Sequence, residues 1–155
     1  MWMKDAGAFL CSLGRALAPF TELSIRLYAG LALVSHGYPK LFGATATNAA
    51  FFESAGFRPA LFWTIVIGLT EVAGGLCLAL GFFTRVAALP ILIFLLAAVV
   101  YHSRYGFYWN AGGFEYPLFW AIVVLHFLVR GGGPWSLDAY LRHRRPASPA
   151  REPSA

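Results

Sequence analysis

A chain of 155 residues, 59% hydrophobic and only 12% charged, carries more apolar surface than one small water-soluble core can bury. Its mean hydropathy of +0.63 names lipid as the surrounding solvent. The net charge of +5 raises nucleic acid as a partner, but five of the twelve basic residues (Arg130, Arg142, Arg144, Arg145 and Arg151) follow the last apolar segment. That is the pattern of a topology signal and an anionic-lipid contact, so membrane lipid is an expected partner and nucleic acid is not.

In chain order, residues 1–20 come first. Trp2, Ala6, Phe9, Leu10, Leu13, Leu17 and Phe20 share one helical face, while Lys4, Ser12 and Arg15 fall elsewhere. The pattern predicts an amphipathic helix lying in the membrane interface. The competing reading is a signal peptide, because Ala16-Leu17-Ala18 resembles a cleavage site; Arg15 just before it, Pro19 just after it and the short apolar core disfavour that reading.

Four apolar stretches follow, about Leu23–Phe42, Ala60–Phe82, Arg85–Tyr101 and Tyr116–Val129. A helix of about 20 residues crosses a hydrocarbon layer of about 30 Å. The expected fold is therefore all-α, an integral membrane four-helix bundle over residues 21–133. Ser136 can cap a short surface helix, Leu137–His143, within residues 134–145. The Pro-, Ala- and Ser-rich stretch 146–155 is expected to be a disordered tail.

With four spans, one side carries Lys4, Arg15, Arg85 and the five C-terminal arginines, against Lys40, Arg58 and Arg104 on the other. This asymmetry predicts a multi-pass membrane protein with both termini cytoplasmic. Residues 56–63 and 113–120 match at five of eight positions, either as a trace of two-helix duplication or as two aromatic-rich interfaces. Cys11 and Cys77 form no CxxC pair, and Cys77, in a small-residue run, reads as a packing residue.

Ionisable groups inside a membrane cost at least ~2.5–3.5 kcal/mol each and tend to pair and face the protein interior. Helix rise places Arg26, Glu71 and His126 in one layer, which predicts an Arg26–Glu71 ion pair, as a functional element or as glue for the bundle. Gly68, Gly74 and Gly75 around Glu71 permit close helix approach. Toward the outside, His36 and Lys40 share a face, Pro39 frees the carbonyl of Ser35, and His102 and Glu115 lie at a similar height. Tyr105, Phe107, Tyr108, Trp109, Phe114 and Tyr116 surround them. This is either a pocket or an aromatic belt with snorkelling basic groups. Two histidines with Lys40 and Glu115 favour the pocket. The histidines and Glu71 are metal-ligating types, but none has close ligand spacing, so no metal site is expected.

The ordered set Arg26…Gly30…His36-Gly37-x-x-Lys40-Leu41-Phe42-Gly43, Phe51-Phe52…Gly56, Glu71-x-x-Gly74-Gly75…Leu80-Gly81…Thr84-Arg85, Gly112-Gly113-Phe114-Glu115-Tyr116-Pro117 and Gly133-x-x-Ser136-Leu137-Asp138 resembles the DoxX family of bacterial inner-membrane proteins from about Thr21 to Leu141. The resemblance implies a four-helix membrane fold and a link to quinone-dependent sulfur oxidation or to membrane assemblies that handle oxidative stress. On that reading the protein is a membrane subunit of a quinone-linked redox complex. His36, Lys40, Glu71, His102 and Glu115 are the candidate proton-handling residues, and Arg26, His36, Lys40, Tyr105, Trp109 and Tyr116 the candidate quinone-binding residues. No haem, flavin or iron–sulfur motif is evident, so a protein partner carrying electrons is expected, and a homo-oligomer is compatible with the pattern. Two other functions stay open: a non-enzymatic membrane partner or assembly factor, and a small-solute or proton-coupled transporter built around Glu71.

Overall fold

The computed structural model describes residues 2–144, with side chains from Ala6 onward. The stretch 146–155, expected to be disordered, lies outside the described residues. The first helix, α1, runs unbroken over Trp2–Leu41, 40 residues with Pro19 and Pro39 inside it. At 1.5 Å per residue that is about 60 Å, twice the hydrocarbon thickness of a bilayer. No break separates the amphipathic segment 1–20 from the first span. Residues 6–18 are all exposed, so this half of α1 stands clear of the bundle.

A short helix, α2 (Thr45–Ser54), follows, then α3 (Ala60–Leu80) and α4 (Thr84–His102). Two single 3-10 turns, Ser103–Tyr105 and Trp109–Ala111, lead into α5 (Glu115–Arg130), and α6 (Leu137–His143) closes the described chain. Three segments are long and apolar enough to cross a membrane: Ala6–Leu41, Ala60–Leu80 and Thr84–Tyr105. The fourth bundle helix, α5, has 16 residues, about 24 Å, and packs on α4.

The bundle consists of two antiparallel pairs, α1 with α3 and α4 with α5, joined by packing of α3 on α4. Gly30 and Gly75 set the first pair: a Cβ on Gly30 would lie 2.5 Å from the carbonyl oxygen of Gly75, and one on Gly75 would lie 2.6 Å from that of Gly30. The backbones therefore touch, as small residues allow where lipid offers no hydrophobic drive. The core of Ala29, Leu33, Leu78, Ala88, Ile91, Leu95, Ala121, Val124 and Phe127 fills the space between the pairs. The seam between α1 and α5 is thinly packed.

One end of the bundle is sealed by Arg26 and Asp138. Arg26, 2% exposed, donates to the carbonyls of Ala79 (3.3 Å), Gly132 and Trp135 (2.8 Å), so its charge is shared among carbonyl dipoles. The Arg26–Glu71 ion pair expected from helix rise does not form. Gly37 stands opposite Glu71, with the two Cβ positions 2.7 Å apart, and Arg26 lies about 16 Å further along α1. Helix rise alone leaves the register of α1 against α3 open, and the Gly30–Gly75 contact dictates it. His126 takes no part in such a pair either, because it lies on an exposed face of α5.

Helix α4 opens after Phe83, whose φ of 46° is left-handed and whose side chain caps nothing. The cap arrives from α6. Asp138 accepts from Phe83 N (2.8 Å), Thr84 N (2.9 Å) and Thr84 Oγ1 (2.7 Å). Ser136 Oγ caps α6 by accepting from Ala139 N at 3.1 Å, the role expected of it.

Candidate functional site

At the opposite end, Lys40 sits in the last turn of α1, and its long side chain folds back along the helix. Its Nζ lies 2.7 Å from Glu71 Oε2 and donates to the carbonyl of His36 at 2.8 Å. The two side chains are 14% and 4% exposed, so this is a buried ion pair. Glu71 Oε2 has no well-directed hydrogen bond, so the contact is held by charge more than by bond geometry. Burying two unlike charges together avoids the cost of burying either alone.

Beside this pair, the α1–α5 seam opens into a cavity of about 550 Å³. α1 contributes Ala32, Leu33 and His36, α3 contributes Glu71, α4 contributes Phe94, Leu95, Ala98 and His102, and the α5 side contributes Trp109, Gly112, Gly113, Tyr116, Pro117 and Trp120. Two aromatic contacts span the seam. His36 meets Tyr116 edge-on with centroids 6.5 Å apart, and Tyr28 stacks on Trp120 at 5.9 Å. Ala32, one turn from each, leaves the gap between them. The walls are flat and apolar, and the polar groups are few.

His102 has a defined tautomer. Its Nδ1 lies 2.6 Å from the carbonyl oxygen of Gly112, and a carbonyl only accepts. Nδ1 therefore carries the proton, and Nε2 of the neutral ring is left as an acceptor. The Gly112 bond also ties the α4–α5 connection to α4.

A second cavity, about 520 Å³, lies across α4 between α2, α3 and α4. Lys40, Thr70 and His102 are among its polar lining groups, and Phe51, Phe52, Phe57, Trp63 and Tyr101 among its aromatic ones. Phe94, Ala98 and His102 border both cavities.

Of the residues singled out in the sequence, His36, Glu71, His102, Trp109 and Tyr116 line the first cavity. Lys40 reaches that cavity only through Glu71 and lines the second. Phe107, Tyr108 and Phe114, expected around the pocket, line neither cavity, and three of the candidate proton- and quinone-handling residues stand apart. Arg26 belongs to the far end, bound to backbone carbonyls. Glu115 holds the connection, its Oε2 accepting from Trp109 N at 3.1 Å. Tyr105 is half exposed beside Tyr101 and His102 and lines neither cavity. Trp120, Ala32 and Phe94 were not anticipated; the spacing of Tyr28, Ala32 and His36 along α1 is the signal that marks the cavity wall. Among the described residues, no three His, Cys, Asp or Glu side chains gather as a metal site.

Comparison with known proteins agrees with the architecture. The DoxX family model matches residues 21–104, which covers α1 from Thr21, α2, α3 and α4. The chain is also 31% identical over 147 residues to an uncharacterised membrane protein of Mycobacterium tuberculosis (strain H37Rv), a match covering 88% of this chain and 90% of the relative. No solved structure matches. The glycine-paired helices and the Arg26, His36, Lys40 and Glu71 positions all fall inside the matched segment: the chain belongs to the DoxX family.

Proposed function

We propose that the cavity between α1 and α5 binds a quinone ring, and that the protein acts as the membrane subunit of a quinone-linked redox complex. The observation that carries this reading is a slot with flat aromatic walls whose polar groups are acid–base side chains. Tyr116, Trp109 and Trp120 form the walls, and His36, His102 and Glu71 stand in the lining. Its volume of about 550 Å³ suits a small-molecule ring. A bound quinone supplies two-electron, two-proton redox chemistry, with electrons exchanged through a partner protein.

The residues of this chain have separable tasks. His102 lines the cavity with its Nδ1 held at the Gly112 carbonyl, which leaves Nε2 as the nitrogen that can take a proton from a hydroxyl or return it. Glu71 can relay a proton because Lys40 compensates its charged form. Ala32 marks a lateral opening through which a lipid-phase molecule enters without crossing water. The charge asymmetry supports a plasma-membrane protein with both termini cytoplasmic, which puts the cavities in the outer half of the bilayer.

The test is quenching of tryptophan fluorescence by a short-chain quinone, since Trp109 and Trp120 line the cavity. Saturable quenching is expected, weakened about tenfold by Tyr116→Ala or His36→Ala and abolished by Ala32→Phe. Equal, unsaturable quenching of wild type and Ala32→Phe would remove the reading.

A second reading, a non-enzymatic assembly factor, is favoured by one observation. Residues 6–18 form a helical arm with no packing partner among the described residues. Deleting residues 2–18 would then abolish co-purification of a membrane partner while leaving quinone quenching intact.

A further inference from the structure

The second cavity has a head and a mouth of its own. At its head is Lys40, whose ammonium has three N–H donors. One faces the His36 carbonyl at 2.8 Å and one faces Glu71 at 2.7 Å, and the remaining one belongs to a group that lines this cavity. Thr70, the hydroxyl nearby, already donates to the carbonyl of Val66 at 2.8 Å. Pro90, Ile93 and Ala97 form the mouth. They share one face of α4, all three are exposed, and that face looks toward lipid. From Pro90 to His102 the lining follows α4 for about 18 Å, so the space is long as well as deep.

We propose that this cavity is a separate site for an uncharged lipid-phase molecule with an apolar chain and a carbonyl oxygen at its head, the carbonyl accepting from Lys40. Charge decides the class of head group. Glu71 already neutralises Lys40, so an anionic head would bury a second negative charge with no partner, and a cationic head would meet Lys40 itself. A pure hydrocarbon would leave one ammonium N–H unsatisfied in an apolar space. A neutral carbonyl does neither. The site is distinct from the quinone cavity because Phe94, Ala98 and His102 stand between the two, and it does not depend on the quinone reading.

The experiment uses the full chain in lipid nanodiscs and three diazirine-bearing probes of equal length: a long-chain ketone, the matching alkane and the matching carboxylate. The ketone is expected to label α2, α3 or α4 around this cavity about fivefold more than the alkane. Lys40→Met should bring ketone labelling down to the alkane level. Ala97→Phe, which closes the mouth of the cavity and keeps the Lys40–Glu71 pair, should remove labelling by both. Ala32→Phe, which blocks the other cavity, should leave ketone labelling at the wild-type level, so loss of the quinone reading and loss of this one are separable. Equal labelling by ketone and alkane overturns the head-group assignment, stronger labelling by the carboxylate overturns its neutrality, and full labelling of Ala97→Phe overturns the site. If Lys40→Met does not accumulate, Ala97→Phe and the three-probe comparison still decide.

Discussion

Lys40 lies in the last turn of α1, within a side-chain length of the bundle's end, whereas Glu71 is placed near the middle of α3. Without Glu71, the lysine keeps the His36 carbonyl and can swing its ammonium outward to water. Without Lys40, the carboxylate has no such route. Lys40→Met should therefore destabilise the protein by about 3–5 kcal/mol, and Glu71→Gln by only about 1–2 kcal/mol. The double variant should recover most of the Lys40→Met loss, since a neutral pair replaces an orphaned charge. Unfolding in mild detergent measures all three, and equal losses in the two single variants would refute the asymmetry. At this scale the sequence discloses which residues matter more readily than whom they touch. His36, Glu71, His102, Trp109 and Tyr116 stand out by chemical type inside apolar runs. The Glu71 partner does not, because two antiparallel helices can slide by whole turns without changing which faces are apolar. The Gly30–Gly75 contact selects one register and gives Glu71 to Lys40, leaving Arg26 to carbonyls.

Elements differ in how much of themselves they announce. The long apolar helices are visible from hydropathy, and α6 from Ser136 at its cap. Helix α2 escapes because Thr45–Ser54 offers no side-chain cap and no sustained apolar stripe; it is held by Phe52 packed among Phe51 and Phe57. The link between α4 and α6 escapes for another reason, since Asp138 caps a helix that begins 54 residues earlier. Partial burial pushes the Asp138 carboxyl up, but donation from Thr84 and Phe83 outweighs it, and the net effect lowers it from the ordinary aspartate value. A depressed folded value means that the contribution to stability is complete above the unfolded value of about 3.9 and is lost as pH falls through the folded value. Acidification below about pH 4 should thus free α6 before the bundle melts. Limited proteolysis, with an acid protease below about pH 4 and a broad-specificity neutral protease at about pH 7, should cut the wild type near residues 131–136 only in the acid window. Asp138→Asn, which removes the charge and replaces one of the two accepting oxygens with an NH2 donor, should be cut at neutral pH as well. A cleavage pattern independent of pH in the wild type would contradict the capping role.

On the scale of the whole molecule, the two ends differ in chemistry. One end carries the Arg26 seal, α6, and the basic residues Arg85, Arg130, Arg142 and Arg144; the other carries Lys40, the two cavities and the aromatic connection before α5. On the proposed positive-inside orientation, the sealed end lies in the cytoplasm and the cavities open to the outer leaflet. The chain contains its own reporter of this orientation. Cys11 is exposed on the helical arm, about 15 Å beyond Thr21 along α1, and Cys77 is half-buried within α3. A membrane-impermeant maleimide should leave Cys11 unmodified in intact spheroplasts and modify it in inverted vesicles, and Cys11→Ser should abolish the signal. The arm bears Phe9, Leu10, Leu13 and Phe20, all well exposed, so an arm that bends into the interface would slow the reaction in inverted vesicles but would not move it to the other side. Labelling in intact spheroplasts would invert the molecule. Both cavities would then face the cytoplasmic leaflet, where a quinone at the Ala32 opening would exchange its protons with the cytoplasm.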